Sequence, residues 1–199
     1  MSRTMRGRHI LFGVLFLSLL AGAFAQALSP IHDAEGKAYS DAWLAQHKAT
    51  VFFFLATDCP NSNSYAPEMA RLQRAYESKG VAFYGVYSDP AETAAGVRKH
   101  DAAYGIPFPS LMDSRQVLAR ETGAMGTPEA VILSSTGKTL YRGRIDDRFA
   151  DFGKTRLHID QHDLRDALDE VLAGKPVARP NMPSIGCAIP RVIQGGVHE

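Results

Sequence analysis

The sequence predicts an α/β fold, a mixed central β-sheet flanked by helices on both faces. Three observations predict it. Val51 to Ala56 is a continuous apolar run that breaks into a polar turn, the pattern of a strand buried on both faces. The next stretch places Tyr65, Met69, Leu72 and Tyr76 at helical spacing, one apolar face of a helix. The rest of the chain continues with a second strand and helix, then a hairpin and a closing helix.

The first 25 residues read as an export signal. Arg3, Arg6 and Arg8 form a positive start, Ile10 to Leu20 is an apolar core of eleven residues, and Ala23-Phe24-Ala25 fits a small-x-small cleavage site. Cleavage puts the mature start near Gln26. The apolar run is short for a spanning helix, so no membrane anchor is expected after cleavage. Removing three of the 22 basic residues leaves 19 against 21 acidic ones, net −2, and nothing points to a nucleic-acid partner. Residues 26–174 are of a length that suits one domain with a full core. The expected location is periplasmic or extracellular.

In chain order, Asp33 to Gly36 is a turn signal inside a short hairpin, and Ser40 caps a short helix through Trp43 and Leu44. The apolar strand follows. A helix is predicted over residues 62–78, with Asn61 and Ser62 available to cap it, Pro67 interrupting it and Gly80 ending it. A strand is predicted over 81–87. Ser88-Asp89-Pro90 caps a helix over about 91–103. An extended piece lies within 108–112 and a short helix within 116–122. A hairpin over 129–145 turns at Thr136-Gly137, and a last helix over 161–173 carries Leu164, Leu168, Val171 and Leu172 on one side. The tail, 175–199, holds Pro176, Pro180, Pro183 and Pro190; it reads as extended, with its last residues disordered, and it carries Cys187 in a small apolar patch.

Cys59 falls where the buried strand ends and the helix begins. A helix N-terminus favours the thiolate, the reactive form of cysteine, while the neighbouring Asp58 opposes it. The alternative is a buried, inert cysteine. Its position is also the carboxyl end of a central strand, where open α/β sheets place ligands.

Ala56-Thr57-Asp58-Cys59-Pro60, with Tyr65-Ala-Pro-Glu68 in the following helix, resembles the active-site region of the thioredoxin-like superfamily. The nearest likeness is to its redoxin branch, related to alkyl hydroperoxide reductase and thiol-specific antioxidant proteins. Gly126-Thr127-Pro128 before Glu129 to Leu133 is similar to the segment in which thioredoxins place a cis-proline. Ser134 to Lys138 and Thr139 to Arg144 resemble the hairpin that follows. The likeness spans residues 28–173 and implies a thioredoxin-like fold. It implies that a cis Pro128 exposes the backbone of Thr127 to a bound peptide or thiol. The tail, with Gly186-Cys187-Ala188-Ile189 after the last helix, looks like those of some redoxin-domain proteins.

Two departures from the family pattern matter. The second thiol of a thioredoxin pair would stand three residues after Cys59, at Ser62. The peroxidatic threonine or serine would stand three before it, at Ala56. Cys187 is therefore the candidate partner of Cys59, since a mixed disulfide or a sulfenic acid needs a second thiol. Its other reading is a structural staple for the tail, a closure of a loop this long contributing about 3 to 5 kcal/mol.

The functional expectation is an exported thiol-dependent oxidoreductase, antioxidant or thiol–disulfide exchanging. Cys59 and Cys187 are catalytic, and Thr127 and Pro128 bind substrate. The partner is a thiol- or disulfide-bearing protein or a small peroxide, and no cofactor is expected. The alternative is a non-catalytic binding module or metallochaperone. His158 and His162, four apart, suit one helix face and a metal, but no metal site is assigned. Arg142, Arg144, Asp146, Asp147 and Arg148 read as a solvated ion-pair cluster.

Overall fold

A computed structural model describes residues 30–192. The export signal with its cleavage site and the residues beyond 192 lie outside the described residues. The chain opens with the hairpin β1 (Ile31–His32) and β2 (Ala38–Tyr39), then a 3-10 turn over Asp41–Gln46. The strand β3 (Ala49–Leu55) leads into α1 (Pro60–Tyr76). Next come β4 (Val81–Tyr87), α2 (Ala94–Tyr104), β5 (Ser110–Met112) and α3 (Val117–Thr122). The second half holds β6 (Gly126–Thr127), β7 (Glu129–Ser134), β8 (Thr139–Gly143), the hairpin β9 (Phe149–Asp151) and β10 (Lys154–Thr155), α4 (Asp163–Leu172) and β11 (Cys187–Ala188).

Five strands form the central sheet in the order β5-β4-β3-β7-β8. β3 runs parallel to β4 and antiparallel to β7, which makes the sheet mixed as expected. All seven residues of β3 are buried because this strand is central and covered on both faces. Its alternation divides the core in two. Val51, Phe53 and Leu55 join Tyr65, Met69, Leu72 and Tyr76 of α1, and Leu164 and Leu168 of α4. Phe52 and Phe54 face the other way, onto Leu118 and Ala119 of α3 and Leu44 of the 3-10 turn. The face predicted for α1 is the face it buries.

Helix starts differ from the expected ones. α1 begins at Pro60, and Cys59 itself is its N-cap, with no side chain capping the first turn. A proline with fixed φ and no N–H suits the first helical position, so the helix starts two residues earlier than the polar residues suggest. Asn61, thus freed from capping, is buried and used elsewhere. The cap of α2 is Thr93, whose hydroxyl accepts from Gly96 N, while Asp89 closes a turn onto Ala91 N. Ser40 stands at the start of the 3-10 turn without a side-chain cap bond.

The tail is an ordered part of the fold as far as Val192. Arg142 N donates to Pro180 O and Met182 N to Arg142 O, which lays the tail along β8. It then crosses to β6, where β11 pairs antiparallel: Cys187 with Thr127, and Ala188 with Gly126. No helix among the described residues is long and apolar enough to cross a membrane.

Candidate active site

The site lies at the carboxyl end of β3. Cys59 follows the strand by four residues and begins α1, so its sulfur is delivered by the core strand and held at a helix N-terminus. Thr127 is brought beside it by the segment preceding β7, β3's antiparallel neighbour, and the Thr127–Pro128 peptide bond is cis. Cys59 Sγ lies 3.2 Å from Thr127 O. Cys187 arrives from the tail, and its Sγ lies 2.8 Å from Cys59 Sγ, with both cysteines free. The structure thus unites Cys59, Cys187 and Thr127, with Pro128 packed beside Gly186.

The two sulfurs differ in access and acidity. Cys59 is 0% exposed, whereas Cys187 is half-buried. Burial works to raise the Cys59 pKa. Hydrogen bonding, first from Cys187 and then from the backbone N–H of Ser62, outweighs it and holds the thiol below its ordinary value. For Cys187, burial, its hydrogen bond to Cys59 and the charges of Cys59 and Asp58 push the thiol up to about 12. Cys59 is therefore the more acidic thiol of the pair, and Cys187 donates its hydrogen bond to it. Asp58 is exposed and acts on Cys187; it is absent from the interactions that set Cys59's acidity.

Several residues of the site carry no signal in the one-dimensional pattern. Ser62, read in the sequence as a possible cap and as the place of a missing second thiol, is buried beside Cys59, and its backbone N–H helps lower the Cys59 pKa. Asn61 Nδ2 donates to Ile185 O at 3.0 Å and Thr127 Oγ1 reaches Cys187 O at 3.5 Å, so both grip the tail strand. Gln116 donates to Pro190 O and accepts from Val192 N. Gln116 is also the one non-glycine among the described residues with positive φ, 54°. Gly186 passes so close that a Cβ there would lie 1.9 Å from Thr127 O. Behind the cysteine loop, Glu92 accepts from Thr57 N and Oγ1, Asn63 Nδ2 donates to Thr57 O, and His100 Nε2 donates to Asn63 Oδ1 at 2.7 Å. This chain ties the turn to α2. Glu92 and His100 are more than thirty residues from the turn, so only the fold brings them to it.

Two expectations are corrected. His158 lies in an exposed loop and His162 is the residue preceding α4, so they do not share a helix face. No group of three metal-ligating side chains occurs among the described residues. The charged stretch after β8 is not a solvated cluster, because tertiary packing buries its acids. Asp146 and Asp147 are buried, Asp146 accepts from Tyr65 OH at 2.6 Å, and Arg144 pairs with buried Asp163 at 2.6 Å. Arg148 lies over the Tyr65 ring and pins this loop to α1.

A central mixed sheet, a cysteine capping the helix after its core strand and a cis-proline segment opposite define a thioredoxin-like redoxin. The chain belongs to the AhpC/TSA family, whose model matches residues 23–142. It is similar to a hypothetical protein of Sinorhizobium meliloti, at 30% identity, TM-score 0.72, over 83% of this chain and 91% of that one. It is also similar to an uncharacterized conserved protein of Geobacillus kaustophilus, at 29% identity, TM-score 0.73, over 85% and 93%. It shares its fold with a secreted Mycobacterium tuberculosis disulfide oxidoreductase homologous to E. coli DsbE, at 18% identity, TM-score 0.50, over 73% and 95%. None of the curated proteins matches this chain.

Proposed function

We propose that this protein is an exported thiol–disulfide oxidoreductase in which Cys59 attacks and Cys187 resolves. The observation that carries this reading is the pairing of the sulfurs at 2.8 Å, the more acidic one at a helix N-terminus and the less acidic one on a strand of the tail. With the tail lifted, Cys59 S⁻ attacks a substrate disulfide R–S–S–R′, forming Cys59–S–S–R and releasing R′–S⁻. Cys187 then attacks Cys59 Sγ, its proton passing to the departing R–S⁻. The substrate is reduced by two electrons and the protein is left with a Cys59–Cys187 disulfide. Thr127 and Pro128 form the edge on which the substrate chain lies. A disulfide is favoured over a peroxide because Ala56 stands where a peroxide-binding hydroxyl would be needed. A location outside the cytosol rests on the signal-like start and on the secreted fold relative.

A thiol count on the mature protein, with and without reductant, followed by turnover of a disulfide substrate, tests this. The expected result is a disulfide that reduces readily, full loss of turnover in Cys59→Ser with the fold intact by circular dichroism, and a trapped mixed disulfide in Cys187→Ser. Unchanged turnover in Cys59→Ser overturns the assignment. A disulfide that resists reduction in the folded protein makes Cys187 a staple instead.

A further inference from the structure

α2 and the segment before it hold the Cys59 turn through Thr57. Glu92 accepts from Thr57 N and Oγ1, and Asn63 of α1 donates from Nδ2 to Thr57 O at 3.3 Å. With Nδ2 committed there, Asn63 turns Oδ1 to His100 Nε2 at 2.7 Å, and an amide oxygen only accepts. On the other side of the ring, His100 Nδ1 lies 2.9 Å from Tyr87 OH. Tyr87 has one proton and donates it to Asp101 Oδ1 at 2.9 Å, since a carboxylate only accepts. Both ring nitrogens are therefore called on to donate. A neutral ring has one N–H and cannot meet both demands. If Nδ1 carries it, Nε2 and Asn63 Oδ1 face each other as two acceptors. If Nε2 carries it, Tyr87 turns its proton to Nδ1, and its bare oxygen then faces Asp101 Oδ1. Only the imidazolium satisfies every atom, and Asp101 Oδ1, 3.7 Å from Nδ1, supplies an opposite charge that favours it. His100 is buried, and Tyr104 lies across it with ring centres 4.8 Å apart. The titratable and charged groups around the ring are Tyr87 of β4, Asp101 and Tyr104 of α2, and Glu92, whose charge acts on Tyr87; α1 presents the uncharged Asn63.

We propose that His100, held as the doubly protonated imidazolium, is a positioning residue for Cys59: through Asn63 it fixes the carbonyl of Thr57 and with it the turn that presents the sulfur. This rests on the reading of Cys59 as the attacking thiol and adds the group that holds its turn. The relay is two bonds long, His100 Nε2–H to Asn63 Oδ1 and Asn63 Nδ2–H to Thr57 O. A charged donor makes the first bond stronger than a neutral one would. Asn63 N also donates to Cys59 O, so the same residue closes the first turn of α1. A turn held this way keeps Cys59 Sγ where the Ser62 N–H lowers its pKa. Loss of the proton from Nε2 sets two acceptors against each other. Asn63 then swings its amide, and Thr57 O loses its donor. Rising pH therefore frees the carbonyl side of Thr57, while Glu92 keeps its hold on Thr57 N.

The test has two readouts. Nitrogen NMR of the reduced mature protein at neutral pH should show both ring nitrogens of His100 protonated, the signals being assigned by their loss in His100→Gln. A bare ring nitrogen overturns the proposal. Iodoacetamide alkylation of Cys59, followed across pH in a Cys187→Ser background, reads the positioning. His100→Ala should slow it by about tenfold at neutral pH, the thiolate fraction lost when a midpoint rises by about one unit. His100→Gln, whose amide can donate to Asn63 Oδ1 without a charge, should recover part of that loss. Asn63→Ala, at a half-buried position, cuts the same relay and should slow alkylation as His100→Ala does. If His100→Ala does not fold, the ring spectrum and Asn63→Ala decide. Equal alkylation in Asn63→Ala and its parent overturns the proposal, because the network is then structural only. His100→Gln as slow as His100→Ala also overturns it, because the relay is then not what acts on Cys59. Neither readout needs disulfide turnover. A protein that passes both and turns over no disulfide overturns the functional reading and leaves the positioning of Cys59 standing.

Discussion

Two cysteines of the same chemical type are set apart in acidity by what surrounds each. Cys59 is supplied with hydrogen-bond donors and Cys187 is made one of them. The ultraviolet absorbance of the reduced protein should therefore show one thiolate forming below the ordinary 9.0 and the second only near 12. In Cys187→Ser the hydroxyl remains a donor of similar reach, so the Cys59 midpoint should rise less than in Cys187→Ala, where the donor is gone. Linkage gives the stability consequence. A thiol whose folded pKa is raised stabilises the fold fully below its unfolded value and loses that contribution as pH climbs towards the folded value. Cys187 should thus cost the reduced protein stability between about pH 9 and 12. Urea midpoints across that window should fall more steeply for the wild type than for Cys187→Ser.

At the scale of elements, the tail strand and the core strand are held by different forces. The seat of β11 is mostly hydrogen bonding, so Asn61→Ala should loosen it by about 0.5 to 1.5 kcal/mol. Hydrogen exchange should quicken at residues 184–189 and not in β3. The core strand is held by burial. Phe53 is fully buried and stacks on Phe83 and Phe108, so Phe53→Ala should destabilise the protein by about 3 to 5 kcal/mol in chemical unfolding. The strong periodic elements were legible in sequence because burial on one or two faces leaves a pattern along the chain. The two-residue strands β6 and β11 were not, since a pair of residues has no period. The 128-residue separation between Cys59 and Cys187 leaves no local trace either.

For the whole molecule, a Cys59–Cys187 disulfide would close a loop that spans most of the domain. The oxidised protein should be more stable than the reduced one by about 4 to 5 kcal/mol on the chain-entropy view, read as a higher melting temperature by calorimetry. Equal melting temperatures would show that the native contacts already restrict the reduced chain as strongly as the bond does.

The sequence by itself determined the α/β class, the central strand, the buried face of α1 and the position of Cys59 at a strand-to-helix turn. These follow from apolar periodicity and from residues such as Pro60 that act on their own backbone. Tertiary structure alone decided that Cys187 meets Cys59, that Ser62 and Thr127 tune the thiol, and that the tail fills the edge beside Pro128. It also turned an apparently solvated charge cluster into a buried tie between α1 and the loop after β8. Those outcomes depend on distances between residues far apart in the chain, which the fold sets and no local pattern encodes.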